Sequence, residues 1–425
     1  MKLTSYWQDT AVPGGDHRRT PIPERVDVAV VGGGLTGTSA AVELRKLGAS
    51  VAVLEQNTIG WGASGRNGGM ATTGLAIGFD TAVQRYGAQR AVSMFRTYNA
   101  AIDSIEKLVA DHAIDCDFER SGKLTLAYRP SHFEAMLKTR KALSDLAGYE
   151  VITVPKAEIH REIGSDYYHG ATVDPLAAGL HVGKFVHGLA ATADTLGATI
   201  CENAEVTALD RNPGGGHVLQ TTRGRLHADQ VLIATSGYTG KVTPWLRRRV
   251  IPVGSFIIVT EPLPRDVVDR ILPHRRQASD SKNLIYYFRI TPDDRLLFGG
   301  RARFAMSSPD SDVRSGQILN KAMTEVFPYL AGTRIDYTWG GLVDLSMDQL
   351  VHAGERDGVH YSVGYSGHGV QMATYMGQRM ARFMSGDTEA NIWGDVKFPP
   401  VPGHFGRPWF LPLIGGGARV LDAIS

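Results

Sequence analysis

Residues 26–55 read VDVAVVGGGLTGTSAAVELRKLGASVAVLE. Val28 to Val31 form a short, wholly apolar run, the pattern of a strand buried on both faces of a parallel sheet. Gly32, Gly34 and Gly37 follow at G-x-G-x-x-G spacing. Thr38 to Leu47 predicts a helix that ends at Gly48, and Ser50 to Leu54 a second strand with Glu55 at its end. Each residue type has a physical task. Gly32 permits the tight turn, Gly34 lets the backbone approach a pyrophosphate, and Gly37 lets the helix pack close on the strand. The helix N-terminus offers free N–H groups and a partial positive charge to phosphates. Glu55, roughly 20 residues on, is placed to accept hydrogen bonds from an adenosine ribose. An acid there disfavours a 2′-phosphate, so the ligand is a dinucleotide other than NADP.

Moving outward, Ile59 to Gly69 holds five glycines in eleven residues together with Trp61 and Arg66. Such a loop brings backbone N–H groups against a flat ligand, and Arg66 adds charge. Far along the chain, Val231 to Gly237 is an apolar strand ending in small residues, with another close backbone approach at Gly237. Val359 to Val363 predicts a strand that runs into Gly364-Tyr365-Ser366-Gly367-His368-Gly369 and a helix from Val370 to Met384. This second strand–glycine–helix element presents a helix N-terminus that stabilises negative charge.

The remaining elements are read in order. Met1 to Glu24 is a polar arm packed on the surface. Thr81 to Ala110 has helical period, Asp115 to Tyr128 reads as strands around Ser121-Gly122, and Pro130 to Leu146 is a helix. Asp174 to Gly179 is a loop, His181 to Leu196 a helix, and Ala198 to Cys201 a strand. Glu205 to Leu219 is a hairpin turning at Pro213 to Gly216. Pro252 to Thr260 and Leu284 to Arg301 are antiparallel in character, Ser315 to Phe327 is a helix, and Arg334 to Trp339 is a strand.

A chain of 425 residues is long enough for two domains. Lys+Arg of 45 against Asp+Glu of 43 leaves no basic footprint for nucleic acid. Cys116 and Cys201 have no framework spacing, which points to a reducing, cytoplasmic compartment. No apolar run approaches the roughly 20 residues that span a bilayer. No HExxH or cysteine–histidine cluster suggests a metal site.

VVGGGLTG, GASGRNGG, the ATSG strand end and YSGHG, in this order, resemble the D-amino-acid-oxidase-like FAD oxidoreductases. SYW, IGWGASGRNGGM, DCDFERSGKLTLAY, YYFRITPDDRLLFGG and IDYTWGG extend the resemblance nearly end to end, to the γ-glutamylputrescine oxidases of that family. The resemblance implies an α/β fold, a Rossmann-like FAD-binding domain with a second mixed-sheet α+β substrate domain. The expected division is 1–85, 150–245 and 342–425 for FAD, and 86–149 and 246–341 for substrate. It implies that Gly32, Gly34, Leu35, Thr36, Gly37, Glu55 and Gln56 meet the ADP half. Gly62, Ala63, Ser64, Arg66, Asn67 and Gly68 would run along the pyrophosphate and ring. Val206 would meet the adenine, and Gly237, Gly367, His368, Gly369 and Val370 would complete the site.

Arg66 and His368 are the candidate catalytic residues. Tyr286, Tyr287, Arg289 and Trp339 are the candidate substrate contacts, where aromatic rings could close over an amine and Arg289 could pair with a remote carboxylate. Sarcosine oxidase attaches its flavin through a cysteine in the segment that here reads Trp339-Gly340-Gly341-Leu342, so FAD is expected to be non-covalent. Its two substrate-carboxylate anchors correspond to uncharged positions, near Gly69 and at Val370-Gln371. Its oxygen-activating lysine falls on Arg295 to Gly299, where there is none, so Lys282 or His368 is left to supply positive charge. The implied reaction is oxidation of a small-molecule amine, γ-glutamylputrescine-like, to an aldehyde and ammonia. Oxygen, giving hydrogen peroxide, or another electron acceptor takes the electrons. The alternatives are an amino-acid or N-alkylglycine dehydrogenase using another acceptor, and a non-catalytic flavin-binding protein.

Overall fold

In the computed structural model, which describes residues 1–300, 307–406, 408–412, 415 and 422, Arg25–Val31 is the strand around which the first sheet is laid. It pairs in parallel with Val51–Leu54 on one side and Gly224–Ile233 on the other. The full order is His352–Arg356, Val359–Val363, Gly224–Ile233, Arg25–Val31, Val51–Leu54 and Thr199–Cys201. The hairpin of Val206–Arg211 and His217–Thr221 extends from Gly224–Ile233. Val28, Ala29 and Val30 are buried, as an apolar run covered on both faces requires.

Two helices that follow glycine turns, Leu35–Lys46 and Gly369–Met384, pack against each other. A Cβ at Gly377 would overlap the Thr36 carbonyl, so glycine sets this close crossing. Ser39 Oγ donates to the Thr374 carbonyl at 2.7 Å across it. The first strand, the first turn and the last long helix are thereby held together from opposite ends of the chain.

The second sheet has the order Ile335–Leu345, Ile251–Thr260, Leu296–Gly300, Tyr286–Ile290, Gln277–Asp280, Lys123–Leu126, Gly170–Asp174 and Ile152–Pro155. Its pairings are antiparallel except that of Gln277–Asp280 with Lys123–Leu126. The helix Pro309–Val326 covers Ile335–Leu345 and Ile251–Thr260 and encloses a core that includes Phe256, Phe288, Phe298 and Phe327.

Several elements depart from expectation. The long helix is two, Phe79–Tyr86 and Ala88–Asp111, because Gly87 adopts φ +79 and caps both. Ile152–Pro155 and Gly170–Asp174 pair in the second sheet, although the expected division assigned them to the FAD domain. Only Lys123–Leu126 is a strand within Asp115 to Tyr128. Ala178–Gly179, expected in a loop, pairs with Met70–Ala71. The helix expected from Ser315 begins at Pro309, where Ser308 and Ser311 cap it reciprocally. The N-terminal arm is more than a surface strip: Trp7 is fully buried and its Nε1 donates to the Asn67 carbonyl at 2.7 Å. Arg301 lies outside the described residues, as does part of the expected 342–425 segment. Cys116 and Cys201 are both buried and free. Among the described residues no helix is long and apolar enough to cross a membrane.

Candidate cofactor and substrate cavity

A cavity of about 1030 Å³ lies between the two sheets. That is the upper end of the roughly 300–1,000 Å³ usual for small-molecule sites. Gly32, Gly34, Leu35 and Thr36 form part of its wall where Leu35–Lys46 begins. Gly37 is not on the wall; its Cβ position overlaps the Gly32 carbonyl, so it serves the turn's packing. Glu55 accepts from Gly33 N at 2.7 Å and Asn57 N at 2.8 Å. Burial raises its carboxyl above the usual range, opposed by those amide bonds. Gln56 and Val206 line the same end.

The glycine-rich loop is held from within. Ser64 Oγ accepts from Leu35 N at 2.9 Å, and Asn67 Nδ2 donates to the Ala63 carbonyl at 3.0 Å. Asn67 Oδ1 accepts from Gly69 N at 2.7 Å. Arg66 Nε donates to the Trp61 carbonyl at 2.7 Å and its guanidinium lies 4.8 Å from the Trp61 ring centre. Gly62, Ala63, Ser64, Arg66, Asn67 and Gly68 all line the cavity.

Gly367, His368, Gly369 and Val370 line it from the second turn. The His368 ring meets Tyr98 edge-on at 5.4 Å, and its buried Nδ1 has no hydrogen-bond partner. Burial, with Lys123 nearby, depresses His368 to about 3. It is neutral at physiological pH, so the positive charge expected from it is absent. Gly237 is buried behind the wall, where an added Cβ would stand 3.2 Å from Leu342 Cβ.

Of the expected substrate contacts, only Tyr287 reaches the cavity. Its hydroxyl lies 3.0 Å from Ser255 Oγ. Strand alternation separates it from Tyr286, which turns to the second core and packs on Phe298 with ring centres 5.4 Å apart. Arg289 shares a face with Tyr287 but lies beneath the cavity. Its guanidinium donates to the Gly69 and Leu180 carbonyls, and burial lowers it to about 10. Trp339 is 1% exposed and donates through Nε1 to the Arg66 carbonyl at 2.9 Å. Arg289 and Trp339 brace the glycine-rich loop from below.

The cavity also holds residues that the sequence reading passed over: Lys123, Ser255, Ser279, Tyr238 and Asp344. Lys123-Leu-Thr-Leu alternates, and a lysine on a strand with buried leucines was the available signal. Gly364 N donates to Asp344 Oδ2 at 2.8 Å, and burial raises this carboxyl to about 6.

These features fit FAD. Glycines with no side chain front a helix N-terminus, an acid stands at the adjoining strand end, and an enclosed volume of dinucleotide size runs from there to the second turn. Residues 27–383 match the family described as FAD dependent oxidoreductase. The chain belongs to that family. This FAD-dependent oxidoreductase is 33% identical over 387 residues to the probable oxidoreductase OrdL of Haemophilus influenzae, covering 89% of this chain and 88% of that one. It is 31% identical over 395 residues to the γ-glutamylputrescine oxidoreductase of Escherichia coli, covering 92% and 91%. The oxidoreductase also shares its fold with glycine oxidase from Geobacillus kaustophilus, at a TM-score of 0.71 and 21% identity, covering 91% and 99%. Its first sheet is thus the Rossmann-like FAD-binding layer.

Proposed function

We propose that this protein oxidises an amine at a CH–NH or CH–NH2 group, with γ-glutamylputrescine or a near relative as substrate. Aldehyde, ammonia and hydrogen peroxide are the products. The observation that carries the reading is the 31% identity, over 92% of the chain, to a γ-glutamylputrescine oxidoreductase. The uncharged state of the two expected α-carboxylate anchors agrees with it. Gly69 offers only backbone there, and the Gln371 amide is committed through Nε2 to the Thr72 carbonyl at 2.6 Å.

FAD, when bound, would supply the hydride acceptor and the route by which electrons reach oxygen. The chain's own residues bind and orient. Gly32, Gly34 and the amides opening Leu35–Lys46 would hold the pyrophosphate, and Glu55 would hold the ribose. Tyr287 and the Gly367–Val370 turn bound the space for the amine and keep water from it. Neutral His368 adds no charge to repel an ammonium. FAD is held without a covalent bond: neither Cys116 nor Cys201 lines the cavity. A cytoplasmic location, suggested by the two free thiols, is part of the same proposal.

Lys123 favours a second reading. It lines the cavity and could hold an α-carboxylate by a different route, which would suit an amino-acid dehydrogenase. Anaerobic mixing with γ-glutamylputrescine, putrescine, sarcosine and D-alanine separates the two. Bleaching by the polyamine compounds, with peroxide on admitting air, is the expected result. Bleaching only by the amino acids, or reoxidation without peroxide, supports the dehydrogenase. Acid precipitation should release the flavin into the supernatant.

A further inference from the structure

The wall that the second sheet turns toward the cavity carries two lysines, Lys123 and Lys282. Among the described residues neither is joined to a carboxylate in an ion pair. Lys123 Nζ donates to the Thr73 carbonyl at 3.3 Å. The acid beside it, Asp174, already accepts from Thr73 Oγ1 at 2.6 Å and the Tyr149 hydroxyl at 2.6 Å. Lys282 Nζ stands over two aromatic faces, 4.0 Å from the Tyr286 ring centre and 4.9 Å from that of Tyr128.

The acids around Lys282 accept from backbone amides, although Asp280 Oδ2 is buried without a hydrogen-bond partner. Asp280 Oδ1 accepts from Tyr286 N at 2.9 Å and Lys282 N at 3.3 Å. Burial pushes its carboxyl up to about 7. Asp422 accepts from Asn283 N at 2.7 Å and Leu284 N at 2.9 Å. Asp344, which does line the cavity, takes the Gly364 amide. Among the described residues neither lysine is held in an ion pair, although Asp280 and Asp174 lie near enough to act on them, and burial favours the neutral form of Lys123.

The two lysines occupy different ends. Lys123 pairs with Gln277 in the sheet and lies near His368. Lys282 follows in the turn after Asp280, five residues beyond Gln277. An ammonium there repels a second ammonium and attracts an anion. Its ammonium lies where the cavity rim meets the second core, held by the Tyr128 and Tyr286 rings and by a hydrogen bond with the Tyr286 phenol, none of which neutralises it.

Resting on the amine-oxidase reading, we propose that Lys282 recognises a carboxylate carried by the amine at the end remote from the oxidised carbon. The protein then prefers an amine bearing a distal carboxylate to a plain alkylamine or diamine.

The test uses holoenzyme, with Lys282→Met and Lys282→Arg beside wild type, each checked for equal flavin content. Anaerobic flavin reduction is followed with 6-aminohexanoate and hexylamine. Hexanoate, which has no amine to oxidise, is titrated by its perturbation of the flavin spectrum. Wild type should half-saturate at about tenfold lower 6-aminohexanoate than hexylamine, the worth of one charged hydrogen bond. Lys282→Met should bring that ratio close to one and raise the hexanoate Kd about tenfold, and Lys282→Arg should restore most of both. Preference for hexylamine in wild type, or an unchanged ratio and Kd in Lys282→Met, overturns the proposal. If no amine bleaches the flavin, the oxidase reading fails. The hexanoate titration still decides on Lys282, an unchanged Kd overturning the proposal and a raised one supporting a carboxylate site.

Discussion

The chain makes the same local element twice, at Gly32–Gly37 and at Gly364–Gly369, and the two turns need their glycines for different reasons. In the first, space is the constraint throughout, joined at Gly32 by a φ of +112. A Cβ at Gly32 would stand 2.6 Å from the Ala234 carbonyl oxygen, and one at Gly37 would overlap the Gly32 carbonyl. In the second, the turn opens as it proceeds. At Gly364 both φ +83 and the Leu350 carbonyl oxygen, 2.8 Å from an added Cβ, demand glycine, whereas Gly367 has φ +94 with nothing within 4 Å of the Cβ it lacks, so there conformation alone is the constraint. The first turn is a packed joint between strand and helix. The second carries a left-handed glycine with open room above Gly367. Both line one cavity.

Substitutions can break this contrast. The largest effect is expected from Gly37→Val, which forces side-chain atoms into backbone. Stability should fall by about 3–5 kcal/mol or the protein should fail to fold, as thermal melting and soluble yield would show. An unaltered melt would mean the first turn is not the packed joint described. Gly34→Val should spare the fold, because its Cβ meets only the movable Ser64 Oγ at 2.7 Å. It should still weaken FAD binding by about tenfold or more and yield colourless protein, since overpacking of even about 1–3 kcal/mol suffices. Normal flavin content would remove the pyrophosphate from this turn.

The second turn is tested through Asp344, which receives the Gly364 amide. Its carboxyl is raised to about 6 chiefly by burial. A raised acid keeps its proton longer in the folded state, so ionisation works against folding. Relative to Asp344→Asn, wild type should lose about 1–3 kcal/mol between pH 4 and pH 6 and then level off. A pH-independent difference between the two melts would contradict this. The smallest effect belongs to Gly367→Ala, about 1–2 kcal/mol of backbone strain with no clash. If the room above Gly367 holds the flavin, the variant should change flavin content or spectrum more than its melting temperature. The reverse would sharpen the contrast by making the turn purely structural.

The parts of the fold that were legible in sequence are those with a local cause. Glycine spacing, apolar runs and the helix pattern after Gly369 each act within a few residues, so both turns and their flanking elements stand close to where they are read. The second sheet was less legible. Ile152–Pro155, Gly170–Asp174 and Gln277–Asp280 are short strands whose pairing partners are remote in sequence. The site followed the same division. Gly32, Gly34, Gly62, Gly68, Gly367 and Gly369 line the cavity as their motifs imply, while Gly37 and Gly237 pack behind it, and aromatic richness alone did not reveal which face of Tyr286–Ile290 would meet it.

By itself, then, the amino-acid sequence determined the family, the strand–turn–helix elements and the glycines that bring backbone to the cavity, because close approach demands glycine whatever surrounds it. Tertiary structure alone decided that Tyr287 reaches the cavity while Tyr286 joins the core and Arg289 braces a loop. It also decided that Lys123 and Lys282 share a wall. Side chains alternate along a strand, and which face meets the cavity is settled by pairing register and by what packs behind. Burial likewise made His368 neutral, a property of its surroundings that no motif contains.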